Sequence, residues 1–209
     1  VQLNRESALT RAVALASRGR RAILGITGAP AAGKSTYAEQ LAAELVADGY
    51  QVTLVPMDGY HLAQASLEQF GLAAVKGAPQ TFDGYGFVAL LKRLKESPDE
   101  TIWAPRFDRS IEDSIAASIP VPPETTLVVT EGNYLLFDQV PWATGRALLD
   151  ECWYIDLEDD LRHERLEARH RRFGRSPQEA HERTYGTDEA NAKLIAATKP
   201  SADAIVTLT

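Results

Sequence analysis

The segment Gly28-Ala29-Pro30-Ala31-Ala32-Gly33-Lys34-Ser35 constrains this chain more than any other, because it matches G-x-x-x-x-G-K-[ST] at every fixed position. Glycines let the backbone turn tightly, so that successive N–H groups point at phosphate oxygens. A helix begun directly after the loop adds the positive end of its dipole. In such a loop Lys34 reaches the β- and γ-phosphates of a nucleotide, and the Ser35 hydroxyl coordinates Mg²⁺. The motif demands a strand before it and a helix after it. Ala22–Thr27 is a short apolar run, and Ser35–Ala47 repeats Tyr37, Leu41, Leu45 and Val46 at helical spacing. Gly28 through Thr36 is therefore the expected nucleotide-phosphate site.

The alternation continues along the chain. Gln51–Pro56, Thr126–Thr130, Cys152–Leu157 and Ala204–Leu208 read as short buried strands. Phe87–Lys95, Asp159–Arg172 and Glu179–Ala197 read as helices, and the first 21 residues as an amphipathic helix with Leu3, Leu9, Val13 and Ala16 near one face. The Pro-rich stretch Ile119–Pro123 reads as an extended loop. Short apolar strands separated by helices predict an α/β fold, a parallel sheet with helices on both faces, in one domain over residues 1–209. Ligands in such sheets bind at the carboxyl ends of the strands.

Composition narrows the function. The formal net charge of −7 argues against nucleic acid as a partner, which wants a basic face. No run of 18 apolar residues exists, so no membrane insertion is expected, and the arginine-studded N-terminal stretch does not read as a signal peptide. The single cysteine, Cys152, lies in a strand-like run and has no intrachain partner, which points to the cytoplasm.

Two acids stand just past predicted strands. Asp58 follows Gln51–Pro56, and Glu131 follows Thr126–Thr130. In a parallel sheet both carboxylates emerge on the edge that carries the phosphate loop. Transfer of a phosphoryl group to a hydroxyl needs a carboxylate to take the proton and another group to hold Mg²⁺ or orient the substrate. Asp58 is the expected base and Glu131 the expected metal or substrate ligand, with the roles open to exchange. His61, three residues after Asp58, is a candidate for acceptor contact. Arg106 either meets an anionic group on the acceptor or pairs with Glu112 or Asp113. Arg162, Arg165 and Arg169 are spaced to share a helical face in an arginine-rich segment of about 159–177, which reads as a lid with a hinge at Gly174. Arg169, just before the turn, is the expected catalytic arginine.

The phosphate loop, Asp58-Gly-Tyr60 and Glu131-Gly-Asn133 together resemble the kinase family of uridine kinase, pantothenate kinase and phosphoribulokinase. Pro56–Leu62, Gly77-Ala-Pro79, Thr81-Phe82-Asp83 and Glu131–Tyr134 are similar to blocks of its short bacterial branch, described as nucleoside/nucleotide kinase-like or as fructose transport system kinase. The resemblance runs from about Ile23 to the C-terminus. It implies ATP and Mg²⁺, an acid base at Asp58, an arginine-bearing lid, and an acceptor pocket lined by Gly77–Asp83 and Ala104–Asp108; the expected acceptor contacts are Asp58, Tyr60, His61, Phe82, Arg106, Glu131 and Asn133. It also implies adenine binding near Lys199-Pro200 and the pairing into homodimers common in the family. A sugar such as fructose is the expected acceptor, with a nucleoside or a pantothenate-like alcohol as the alternative. Two departures matter. Phe107-Asp108 is followed by Arg109-Ser-Ile-Glu-Asp113, without the His of uridine kinases, and the chain lacks the length of pantothenate kinases and phosphoribulokinases.

Two other classes compete: a nucleotide-dependent regulator of a transport system, and a motor subunit. A regulator needs no base at Asp58 and leaves the aromatic segments Phe82–Phe87 and Trp103–Phe107 without a role. A motor would carry an LSGGQ-type signature, which is absent. Asp83-Gly-Tyr-Gly86 fits the D-x-x-G of switch GTPases, but no N-K-x-D accompanies it.

Overall fold

Six parallel strands carry the molecule, and the apolar runs explain their place. A computed structural model describes residues 1–208. Its elements in chain order are β1 (Gln2–Leu3), α1 (Arg5–Ala16), β2 (Ala22–Thr27), α2 (Lys34–Ala47), β3 (Val52–Leu54), α3 (Gln64–Gln69), α4 (Gly84–Glu96), β4 (Ile102–Asp108), β5 (Asp113–Val121), β6 (Leu127–Glu131), α5 (Trp142–Arg146), β7 (Glu151–Asp156), α6 (Asp159–Arg172), α7 (Pro177–Arg183), α8 (Glu189–Ala196) and β8 (Ala204–Thr207). The main sheet has the order β1-β8-β7-β2-β6-β3.

Period-two alternation divides the core. Leu24, Ile26, Leu127, Val129, Trp153 and Ile155 face α1 and α2, whereas Ile23, Val128, Cys152 and Tyr154 face the cluster built by α4, Tyr134 and Trp142. Every residue of β2 and β6 is buried, as expected for central strands covered on both sides. Burial also pushes the Cys152 thiol up, so it is an inert core group.

Three segments differ from the sequence reading. Gln2 and Leu3 extend as an edge strand beside Ile205 and Val206, so the N-terminal helix is shorter than its pattern and starts at the Asn4 cap. Ile119–Val121 closes an antiparallel hairpin, β4–β5, in which Pro120 lies opposite Trp103; an edge position tolerates a residue without an N–H. The helix expected over 179–197 breaks at Gly186, whose ψ of −105° no helix contains.

At the amino edge of the sheet Arg21 is buried among backbone carbonyls. Its Nε donates to Thr125 O at 3.2 Å, Nη1 to Leu94 O at 3.2 Å and Nη2 to Pro122 O at 2.9 Å. The guanidinium thereby ties the end of α4 to the loop that enters β6. The carboxyl edge is left to the phosphate loop and the two acids. Among the described residues no helix is long and apolar enough to cross a membrane.

Candidate active site

The phosphate loop leaves β2 and runs into α2. Gly28 (φ +151°) and Gly33 (φ +95°) occupy backbone regions that favour glycine, and a Cβ on Gly28 would stand 2.6 Å from Ile155 O. Helix α2 has no side-chain cap, which leaves its first amides free for an anion. Lys34 is buried, and its Nζ donates to Ala29 O at 3.0 Å. Burial pulls the ammonium down to about 8; Glu131 and Asp58 push it back up, and Arg169 adds to the fall.

Register brings the acids to this loop. Glu131, the last residue of β6, pairs with Ile26 of β2, two residues before Gly28. The Ser35 hydroxyl donates to Glu131 Oε1 at 3.0 Å. Burial and the nearby Asp58 carboxylate push Glu131 up to about 7, against the pull of Lys34 and Ser35. Asp58 sits in a short 3₁₀ turn, Met57–Tyr60, after β3. The Arg109 guanidinium donates to its Oδ2 at 3.2 Å. His61 Nδ1 lies 2.8 Å from Asp58 O. Since a carbonyl only accepts, Nδ1 carries the proton. Burial holds His61 below the usual imidazole range, and its ring is wedged between Phe82 (4.0 Å) and Phe107 (4.7 Å).

These groups open on a cleft of about 520 Å³ that Pro30, Asn133 and Arg169 also line. Two expected residues stand apart from it. Arg106 is exposed on the hairpin opposite Ile115 and does not line the cleft; Arg109, three residues on, reaches Asp58 instead. Tyr60 packs edge-on against Phe87 at 5.4 Å, beneath the turn, and does not line the cleft either.

The arginine segment divides in two. Arg162 is buried and pinned, with Nε donating to Asp159 at 2.9 Å and Nη2 to Glu189 at 2.6 Å, so it fastens α6 to α8. Arg165 and Arg169 line a second cleft over the phosphate loop, with Gly33, Thr36, Tyr37, Gln40 and Leu208. Lys199 and Pro200, expected against the adenine ring, stand at a third cleft. The Lys199 ammonium is bonded to Asp156 Oδ2 at 2.6 Å and faces that cleft behind Ala29 and Ala32, and Pro200 is exposed. Lys76 and Arg183 line the main cleft but carry no motif. For Lys76 the available signal was its place just before the Gly77-Ala-Pro79 block.

Among the described residues no group of three or more His, Cys, Asp or Glu is arranged to hold a metal. Mg²⁺ does not need one, because it keeps waters and commonly binds one or two carboxylates together with substrate phosphates. Ser35 Oγ and Glu131 supply two hard oxygens beside the phosphate loop, which fits that ion.

A family model described as "Methylmalonyl Co-A mutase-associated GTPase MeaB" matches residues 3–62. That stretch holds the phosphate loop and ends before β6 and Glu131. A Schizosaccharomyces pombe protein named "Putative uridine kinase C227.14" is 32% identical over 199 residues, covering 88% of this chain and 82% of its own length. The chain belongs to the P-loop kinases related to uridine kinase. This kinase is also 36% identical to the "ATP-dependent kinase-like protein notR'" of Aspergillus versicolor, over 66% of this chain and 86% of that one. The crystal structure of a "putative fructose transport system kinase" from Silicibacter sp. TM1040 superposes with a TM-score of 0.84 at 38% identity, covering 97% of this kinase and 98% of that chain. YFH7 of Saccharomyces cerevisiae shares the fold, with a TM-score of 0.83 at 19% identity over 99% of both chains. The kinase is an ATP-dependent phosphotransferase with a hydroxyl group as acceptor.

Proposed function

We propose that this kinase moves the γ-phosphate of ATP, with Mg²⁺, onto a hydroxyl of a small polyol metabolite, with Asp58 as the base. The observation that carries the reading is the meeting of Lys34, Ser35, Glu131 and Asp58 at one end of a single cleft. Loop amides and the Lys34 ammonium hold the β- and γ-phosphates. Ser35 and Glu131 hold Mg²⁺, which when bound neutralises charge on those phosphates. Arg109 steadies Asp58 through Oδ2 and leaves Oδ1 to accept the proton of the attacking hydroxyl. Arg169, exposed on α6 at the rim of both clefts, supplies positive charge to the transferring group as the lid closes.

A sugar such as fructose is the first acceptor to test, supported by the Silicibacter neighbour's name. A nucleoside is the second, supported by the name of the fission yeast relative. ADP release is measured with MgATP and a panel of sugars, nucleosides and pantothenate, with Lys34→Ala beside it. One acceptor class should raise the rate, and Lys34→Ala should abolish the rise while remaining folded. Full activity in that variant would end the reading.

A further inference from the structure

The main cleft has a second wall, formed by the loop at Lys76-Gly77, the turn after β4 and helix α7. Arg183 of α7 donates from Nη2 to Lys76 O at 3.1 Å, and it has no ion-pair partner among the described residues. The Lys76 ammonium, with its side chain only 17% exposed, donates to Glu112 O at 2.9 Å and lies over the Phe107 ring. Among the described residues the Arg175 guanidinium donates only to His170 Nδ1, at 2.9 Å.

The carboxylates on this wall are engaged otherwise. Glu179 receives the Ser176 amide and hydroxyl in a helix cap at 2.9 and 2.7 Å, and Asp188 receives His170 Nε2 at 2.7 Å. Glu112 stands 3.5 Å from Lys76 with 58% of its side chain exposed, so solvent weakens that pair. Two cations joined through one backbone carbonyl thus face the cleft with little opposing charge. The nucleotide phosphates do not need them, since the loop amides, Lys34 and Arg169 already offer donors and positive charge at the phosphate loop.

We propose that the acceptor is an acid: a hydroxyl-bearing metabolite whose carboxylate or phosphate group is held by Arg183 and Lys76. Guanidinium groups suit such oxyanions because their planar fork donates two parallel hydrogen bonds. This inference rests on the kinase reading and names the acceptor's charge within it.

The test uses matched acid and neutral pairs: fructose 6-phosphate with fructose, glycerate with glycerol, uridine monophosphate with uridine, and pantothenate with its alcohol. The phosphate and carboxylate members separate the two oxyanion types. In at least one pair the acid should give the higher kcat/KM for ADP release. Arg183→Gln should raise the KM for that acid roughly 10- to 100-fold, with the KM for MgATP unmoved, and Lys76→Met should act in the same direction. A neutral member preferred in every active pair overturns the proposal while the kinase reading stands. So does an acid KM that both variants leave unchanged. If no pair supports ADP release, the kinase reading fails. Calorimetric titration of the same acids into protein saturated with Mg²⁺ and β,γ-imido-ATP then decides the site alone. Binding that Arg183→Gln removes upholds it, and no binding by any acid overturns it.

Discussion

Glu131 ends β6 and Asp58 lies in the turn that follows β3, two strands that pair in register, yet the surroundings of the two acids differ. Asp58 is partly open to the cleft and held by one arginine. Replacing it with Asn keeps the shape and removes the proton acceptor, so kcat should fall roughly 10²- to 10⁴-fold, with the KM for MgATP little changed. Steady-state kinetics decide this; a proportional loss of ATP affinity would make Asp58 a binding group. Glu131 is buried, and its carboxyl keeps its proton up to about pH 7 in the folded state, against 4.5 for the free group. Between those values the folded protein holds a proton that the unfolded chain has released, so this group's contribution to stability is full below about 4.5 and is lost as pH rises towards 7. Glu131→Gln, which cannot titrate, should therefore gain on the wild type across that window. The gain should grow as pH rises through that window and level above it. Urea unfolding at several pH values measures the difference, and a flat profile would refute the assignment.

Among the elements, β2 and the phosphate loop behave as one piece. Gly28→Ala would set a methyl group 2.6 Å from the Ile155 carbonyl, against the neighbouring strand. The expected cost is about 1–3 kcal/mol of stability, together with loss of nucleotide binding, read by denaturant unfolding and nucleotide titration. Wild-type affinity in that variant would mean the loop tolerates displacement. The central strands β2 and β6 were legible because both their faces are buried, so they read as unbroken apolar runs. The β4–β5 hairpin was not. Pro105 and Pro120 interrupt its alternation, and a register shift between Ala104 and Arg106 scrambles which side chains share a face. Arg106 stands exposed within the hairpin, whereas Arg109, past the end of β4, reaches Asp58. The join of α7 and α8 was hidden because helical spacing continues on both sides of Gly186.

Across the whole molecule, the sheet order gathers residues far apart in sequence at one edge. The phosphate loop and both acids were legible, since each stands at or just past the carboxyl end of its own strand. Lys76 and Arg183 lie 107 positions apart and meet only through tertiary packing, which no local pattern records. The opposite edge has a different character. The Arg21 clasp uses only peptide carbonyls, which neither gain nor lose protons, and it is shielded from dissolved ions. Acid and salt that alter the catalytic edge should therefore act little on this clasp, whereas Asp150 at the same edge, which accepts from Ile23 N and pairs with Arg20 and Lys95, is a titratable fastening.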